Sequence, residues 1–60
     1  MKERHFKFTT RVKGIKEPMV DWYSGRTEEQ ARALWAEDCH RYGLPMADTT
    51  VEIVEVDKLP

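Results

Sequence analysis

The segment Thr27 to Gly43, TEEQARALWAEDCHRYG, limits the possible folds most, because it alone holds a helix start, a helical repeat and a helix stop. Thr27 has the hydroxyl of a good N-cap, able to accept from a free N–H of the first turn. Gln30, three residues on, completes a Thr-x-x-Gln capping box. Glu28 and Glu29 set negative charge at the positive end of the helix dipole, and Arg41 sets positive charge at the other. Gly43 suits the left-handed conformation that ends a helix, and Pro45 prevents its continuation. Glu28–Arg32 and Glu37–Arg41 are opposite charges four apart in the favourable order. Ala31, Leu34, Trp35, Cys39 and Tyr42 recur on one face. Asp38 falls near the middle of that face. It is expected at the border, reaching water or an arginine, rather than as a buried catalytic carboxylate.

The rest of the chain alternates. In RHFKFTTRVK, residues 4–13, Phe6, Phe8, Thr10 and Val12 point one way, and His5, Lys7, Thr9, Arg11 and Lys13 the other. That is a half-buried strand with a basic outer face. GIKEP, residues 14–18, reads as a turn, and MVDWYS, residues 19–24, as a second strand closing an antiparallel hairpin. Its Val20 and Trp22 share one face, and Met19, Asp21 and Tyr23 the other. After the helix, LPMAD is a loop in which Leu44 can fold back on the last helical turn, and TTVEIVEVD, residues 49–57, is a third strand. Its alternation breaks, because Val51 and Ile53 share a parity while Val54 and Val56 share the other. Either a bulge near Val54–Glu55 keeps Val51, Ile53 and Val56 inward, or the strand is apolar on both faces and Val54 meets a partner.

These elements predict a single α+β domain over residues 1–60, with 58–60 as a loose tail. The order is ββαβ: a three-stranded antiparallel sheet, order 2-1-3, with one helix on one face and a right-handed crossover. The expected core is Phe6, Phe8, Val12, Val20, Trp22, Ala31, Leu34, Trp35, Cys39, Tyr42, Val51, Ile53 and Val56.

Size and composition narrow the function. A chain of 60 residues buries only about 60% of its unfolded surface. Self-association is therefore one route to more burial, although many domains of this size fold alone. One cysteine permits no internal disulfide and suits a reducing cytoplasm. No apolar run is long enough for a bilayer, and the basic start MKERHFKFTT lacks the apolar centre of a secretory signal. A cytoplasmic protein without membrane contact is expected. Net charge is −1, but residues 1–16 hold six cations against Glu3, a balance of +5, and residues 17–60 hold four cations against ten acids, a balance of −6.

Catalytic chemistry finds little support. Adjacent helical residues point about 100° apart, so Cys39 and His40 do not converge as a nucleophile pair or as metal ligands. Gly14, Gly25 and Gly43 are each explained by a turn or a helix end, with no phosphate loop. One helix on three strands leaves little volume for a substrate pocket. No enzyme activity, metal, cofactor or small-molecule substrate is expected.

What remains is the uncovered sheet face. It is expected to show His5, Lys7, Thr9, Arg11 and Lys13 on the central strand, flanked by Met19, Asp21 and Tyr23 and by Glu52 and Val54. A protein partner, or a second copy of the chain, would take its apolar contacts from Met19, Tyr23 and Val54. The alternative is RNA or single-stranded DNA, held by Lys7, Arg11 and Lys13 with Tyr23 stacking a base. Cross-strand pairs such as Arg11 with Asp21 or Lys7 with Glu52 would neutralise such a face. The two outer strands are exposed edges, a second route to a partner strand, although Glu52, Glu55 and Asp57 discourage indiscriminate pairing.

In outline, a basic first strand, a hairpin, EEQARALWAEDCHRYG and then VEIVEV resembles the archaeal ribosomal protein LX group of small strand-strand-helix-strand proteins. The resemblance implies the element order. That group is basic after the helix, where this chain reads Leu44-Pro45-Met46-Ala47-Asp48, so membership and ribosomal RNA contact are not read from it. In size and composition the chain is also similar to small accessory proteins of bacteriophages, which implies a regulatory role toward a host protein.

Overall fold

A computed structural model describes residues 2–60. Strand β1 runs Arg4–Val12, β2 Met19–Gly25, helix α1 Glu28–Arg41 and β3 Thr49–Val56. The sheet is antiparallel in the order β2-β1-β3, so the alternating basic strand is central and α1 packs across one face. The expected ββαβ architecture is thus present.

The helix ends are built from local chemistry. The Gln30 N–H donates to Thr27 Oγ1 at 3.1 Å, as an N-cap requires. The return contact of the capping box falls one residue early: the Gln30 amide oxygen accepts from the Arg26 N–H at 2.7 Å. At the other end, Gly43 adopts φ 71°. Its N–H donates to the His40 carbonyl at 3.1 Å, and the Leu44 N–H to the Cys39 carbonyl at 3.0 Å. These are the paired bonds of a Schellman motif, and Leu44 turns back against the core beside the helix they end. LPMAD then forms one 3-10 turn, Met46–Asp48, whose Asp48 carbonyl accepts from the Lys13 N–H at 2.9 Å and so ties the loop to the end of β1.

The core lies between α1 and the even-numbered residues of β1. Phe6, Phe8, Thr10, Val12, Ala31, Trp35 and Cys39 are buried. Phe8 meets the edge of Tyr23, ring centroids 5.1 Å apart, and lies 6.1 Å from the ring of Trp35. Trp35 Nε1–H donates to Thr10 Oγ1 at 2.9 Å, so the indole and the one polar side chain buried among the described residues satisfy each other. Over the end of Phe6, Arg4 forms a two-pronged pair with Glu55 at 2.9 and 2.7 Å, its guanidinium 5.2 Å above the Phe6 ring.

Three expectations about packing need correction. First, Val20 and Trp22 are 41% and 40% exposed and lie on the side away from the helix. The register pairs Phe6 with Tyr23, Phe8 with Asp21 and Thr10 with Met19. Opposite residues of an antiparallel pair share a face, so the odd residues of β2 join the helix side. Met19, Asp21 and Tyr23 therefore leave the open face to which the alternation assigned them. Second, β3 has no bulge: its pairing runs without a break from Thr49 opposite Val12 to Val56 opposite His5. Val51 and Ile53 face α1, while Val54 and Val56 face the other way, which is the two-sided strand. Third, Leu34 is 46% and Tyr42 74% exposed. The buried helix residues form a single i, i+4, i+8 row, Ala31, Trp35 and Cys39, and Tyr42 stands at the C-cap.

Candidate binding surface

The uncovered sheet face is assembled row by row from the register. Lys7 stands between Trp22 and Val54, Thr9 between Val20 and Glu52, and His5 between Ser24 and Val56, with Arg11 opposite Thr50. Neighbours in a row are about 5 Å apart, close enough for the Lys7 stem to bridge Trp22 and Val54 into one apolar stripe. His5 Nδ1 and Ser24 Oγ share a hydrogen bond of 2.6 Å that holds the imidazole at one end of the face.

The electrostatics differ from the alternation-based expectation. Asp21 is on the far side of the sheet opposite Phe8, and Glu52 opposes Thr9, so neither Arg11–Asp21 nor Lys7–Glu52 forms a facing pair. The ion pairs among the described residues are Arg4–Glu55 and Arg41 with Glu37 and Asp38, none of them on this face. Lys7, Arg11 and Lys13 stay exposed and free of carboxylate partners among the described residues, Lys13 in the turn just past β1. Of the residues expected to bind, Lys7, Arg11 and Val54 share this face, with Lys13 at its end. Met19 and Tyr23 do not. Alternation alone did not place Trp22 there, although it is the largest exposed side chain on the face.

Met19 and Tyr23 instead line a cleft of about 230 Å³ between β2 and the second half of α1, with Trp35, Asp38, Cys39 and Tyr42. Within it the Tyr23 hydroxyl donates to Asp38 Oδ2 at 2.8 Å, and Arg41 Nη1 approaches the other carboxylate oxygen at 3.9 Å. Asp38 is thus a border residue held by a donor and a cation. Burial pushes the Tyr23 pKa well above its ordinary 10.0, with further contributions from the bond to Asp38 and the charge of Asp21. Burial, then Asp38 and Asp21, raise the Cys39 thiol above 9.0, which keeps it in the unreactive protonated form. Among the described residues no group of 3 or more His, Cys, Asp or Glu could hold a metal ion, and no helix is long and apolar enough to cross a membrane.

The tyrosine has a testable consequence. Its folded pKa is raised, so the native state keeps a proton that the unfolded chain loses above about pH 10. That contribution is complete below the unfolded value and disappears as pH climbs through the interval up to the folded one. Cys39 adds a loss of the same sign beginning near 9.0. Urea midpoints measured from pH 7 into the alkaline range are expected to fall above pH 10, and to fall less steeply for Tyr23→Phe. Parallel declines in the two proteins would show that the phenol is not responsible.

No family model, curated protein or solved structure matches this chain.

Proposed function

We propose that this chain is a non-enzymatic binding module that docks a protein partner on its uncovered sheet face, in a regulatory rather than a chemical role. The observation that carries the proposal is Trp22, 40% exposed in a row with Lys7 and Val54 and next to Val20 on its own strand. An exposed tryptophan is the kind of side chain most enriched at the energetic centres of protein interfaces. The cleft chemistry supports the non-enzymatic part, since Asp38 is engaged by Tyr23 and Cys39 is held as a thiol. A buried free cysteine also suits the reducing cytoplasm, the compartment proposed for it.

Single-stranded nucleic acid is the second reading. The indole beside Lys7, with Arg11 on the same face, offers a stacking plane and cations in the place first assigned to Tyr23.

The test is affinity capture from cells of the source organism, comparing wild type, Trp22→Ala and Leu34→Ala. Truncating an interface tryptophan commonly costs about 2 kcal/mol or more, roughly thirtyfold in affinity. A protein partner should be lost with Trp22→Ala and retained with Leu34→Ala, which alters an exposed residue of the helix instead. Undiminished capture by Trp22→Ala would remove the proposed surface.

A further inference from the structure

We infer that the partner meets this face with an anionic surface, one in which aspartate or glutamate alternates with apolar side chains; the inference rests on the docking surface proposed above. The two layers differ in net charge. Eleven strand positions point away from the helix, and of these His5, Lys7 and Arg11 are basic while Glu52 is the one acid. Lys13 extends the basic line past the end of β1. The acids Asp21, Glu55, Glu28, Glu29, Glu37 and Asp38 belong to the helix or to the helix side of the sheet, where Arg4, Arg32 and Arg41 offset only part of their charge. An approaching anionic surface is therefore drawn to one side of the molecule and repelled from the other. In the middle row the Lys7 ammonium rises between Trp22 and Val54, so a complementary segment sets a carboxylate between two apolar side chains.

A second copy of this chain fits poorly. Pairing the face with itself about a twofold axis brings together two surfaces that each carry Lys7 and Arg11, with one Glu52 per chain to offset them. The footprint is also small. Three strands about 4.8 Å apart and about eight residues long span a plane of roughly 14 by 25 Å. A face of that size suits a transient, charge-steered contact. Single-stranded nucleic acid fits less well than an acidic protein, because the valines around Trp22, Val20, Val54 and Val56, add no further stacking plane and Glu52 repels a phosphate chain crossing β3.

The test uses a phage-displayed library of random dodecapeptides selected on the immobilised full chain, followed by synthesis of the most enriched peptide. Enriched peptides are expected to be net negative, with aliphatic or aromatic residues between the acids. The peptide should bind Lys7→Glu/Arg11→Glu at least tenfold more weakly than wild type. A version with its acids changed to lysine should lose wild type and regain the charge-reversed protein. The lysine peptide against wild type needs no variant to fold, so the inference stays testable if the double variant does not. Neutral or basic enriched peptides, or equal binding to the reversed protein, overturn it. In that event, loss of binding with Trp22→Ala leaves the docking surface standing without an anionic partner, whereas unchanged binding removes both. Tighter binding of a twenty-residue oligothymidylate than of any peptide assigns the face to nucleic acid. A dimer in sedimentation that Trp22→Ala dissociates assigns it to self-association. Either result overturns the inference.

Discussion

Phe8→Ala is expected to leave the chain largely unfolded at room temperature. Phe8 is fully buried at the centre of the middle strand, between Asp21 on β2 and Ile53 on β3. Its ring touches both aromatic neighbours that tie the layers together, Tyr23 on the sheet and Trp35 on the helix. Truncating a buried phenylalanine costs about 3–5 kcal/mol, the lost transfer energy plus the cavity left behind. A hydrophobic core in a chain this short rarely supplies more than about 3–5 kcal/mol in total. The two quantities are equal within their uncertainty, so the native state should lose its majority. Far-UV circular dichroism and urea titration report the outcome: no cooperative transition for Phe8→Ala, and a weakened but visible one for Phe8→Leu, which keeps a branched hydrocarbon at the site. A Phe8→Ala protein with a wild-type urea midpoint would mean that the core does not sit between this strand and the helix.

The same residues show which parts of the fold can be read from the chain and which cannot. Helix α1 was legible because its signals are local: Thr27 and Gln30 fix the start, and Gly43, with φ 71°, fixes the end. Strand β1 was legible because Phe6 and Phe8 alternate with Lys7 and Arg11 and leave no choice of inner face. The pairing order followed from chain connectivity. The inner face of β2 was not legible from alternation, because both parities carry large apolar groups, Val20 and Trp22 against Met19 and Tyr23. Hydropathy favours the tryptophan. The hairpin register decides otherwise, since a shift of one residue exchanges every side chain between faces. A signal for the correct choice did exist. Asp38 lies on the inward side of the helix, and a carboxylate there needs a donor. Tyr23 is the odd-numbered β2 residue with a hydroxyl to give, and it donates at 2.8 Å. The same parity error hid the character of the uncovered face, because moving Trp22 outward and Asp21 inward turns a mixed-charge surface into a basic, apolar one. In β3 the broken alternation allowed either a bulge or a strand apolar on both faces, and the register decides for the second: Val54 belongs to the outer surface.

Trp35→Ala should destabilise the chain about as much as Phe8→Ala, by about 3–5 kcal/mol, but Trp35 does two jobs that substitution can separate. Its ring covers Phe8, and its indole N–H supplies the hydrogen bond to the buried hydroxyl of Thr10 at 2.9 Å. Trp35→Phe keeps an aromatic roof and removes the donor. Thr10→Val keeps the volume of the threonine and strands the indole N–H in the core. Each variant leaves one buried polar group without its partner, a cost of about 1–3 kcal/mol. The double variant Thr10→Val/Trp35→Phe leaves neither group stranded. Its destabilisation should therefore fall short of the sum of the single effects by about 0.5–3 kcal/mol, the range for directly coupled residues. Urea midpoints of the four proteins close the cycle. Strictly additive losses would mean that the indole and the hydroxyl do not depend on one another, and that the helix is held to the central strand by ring contact alone.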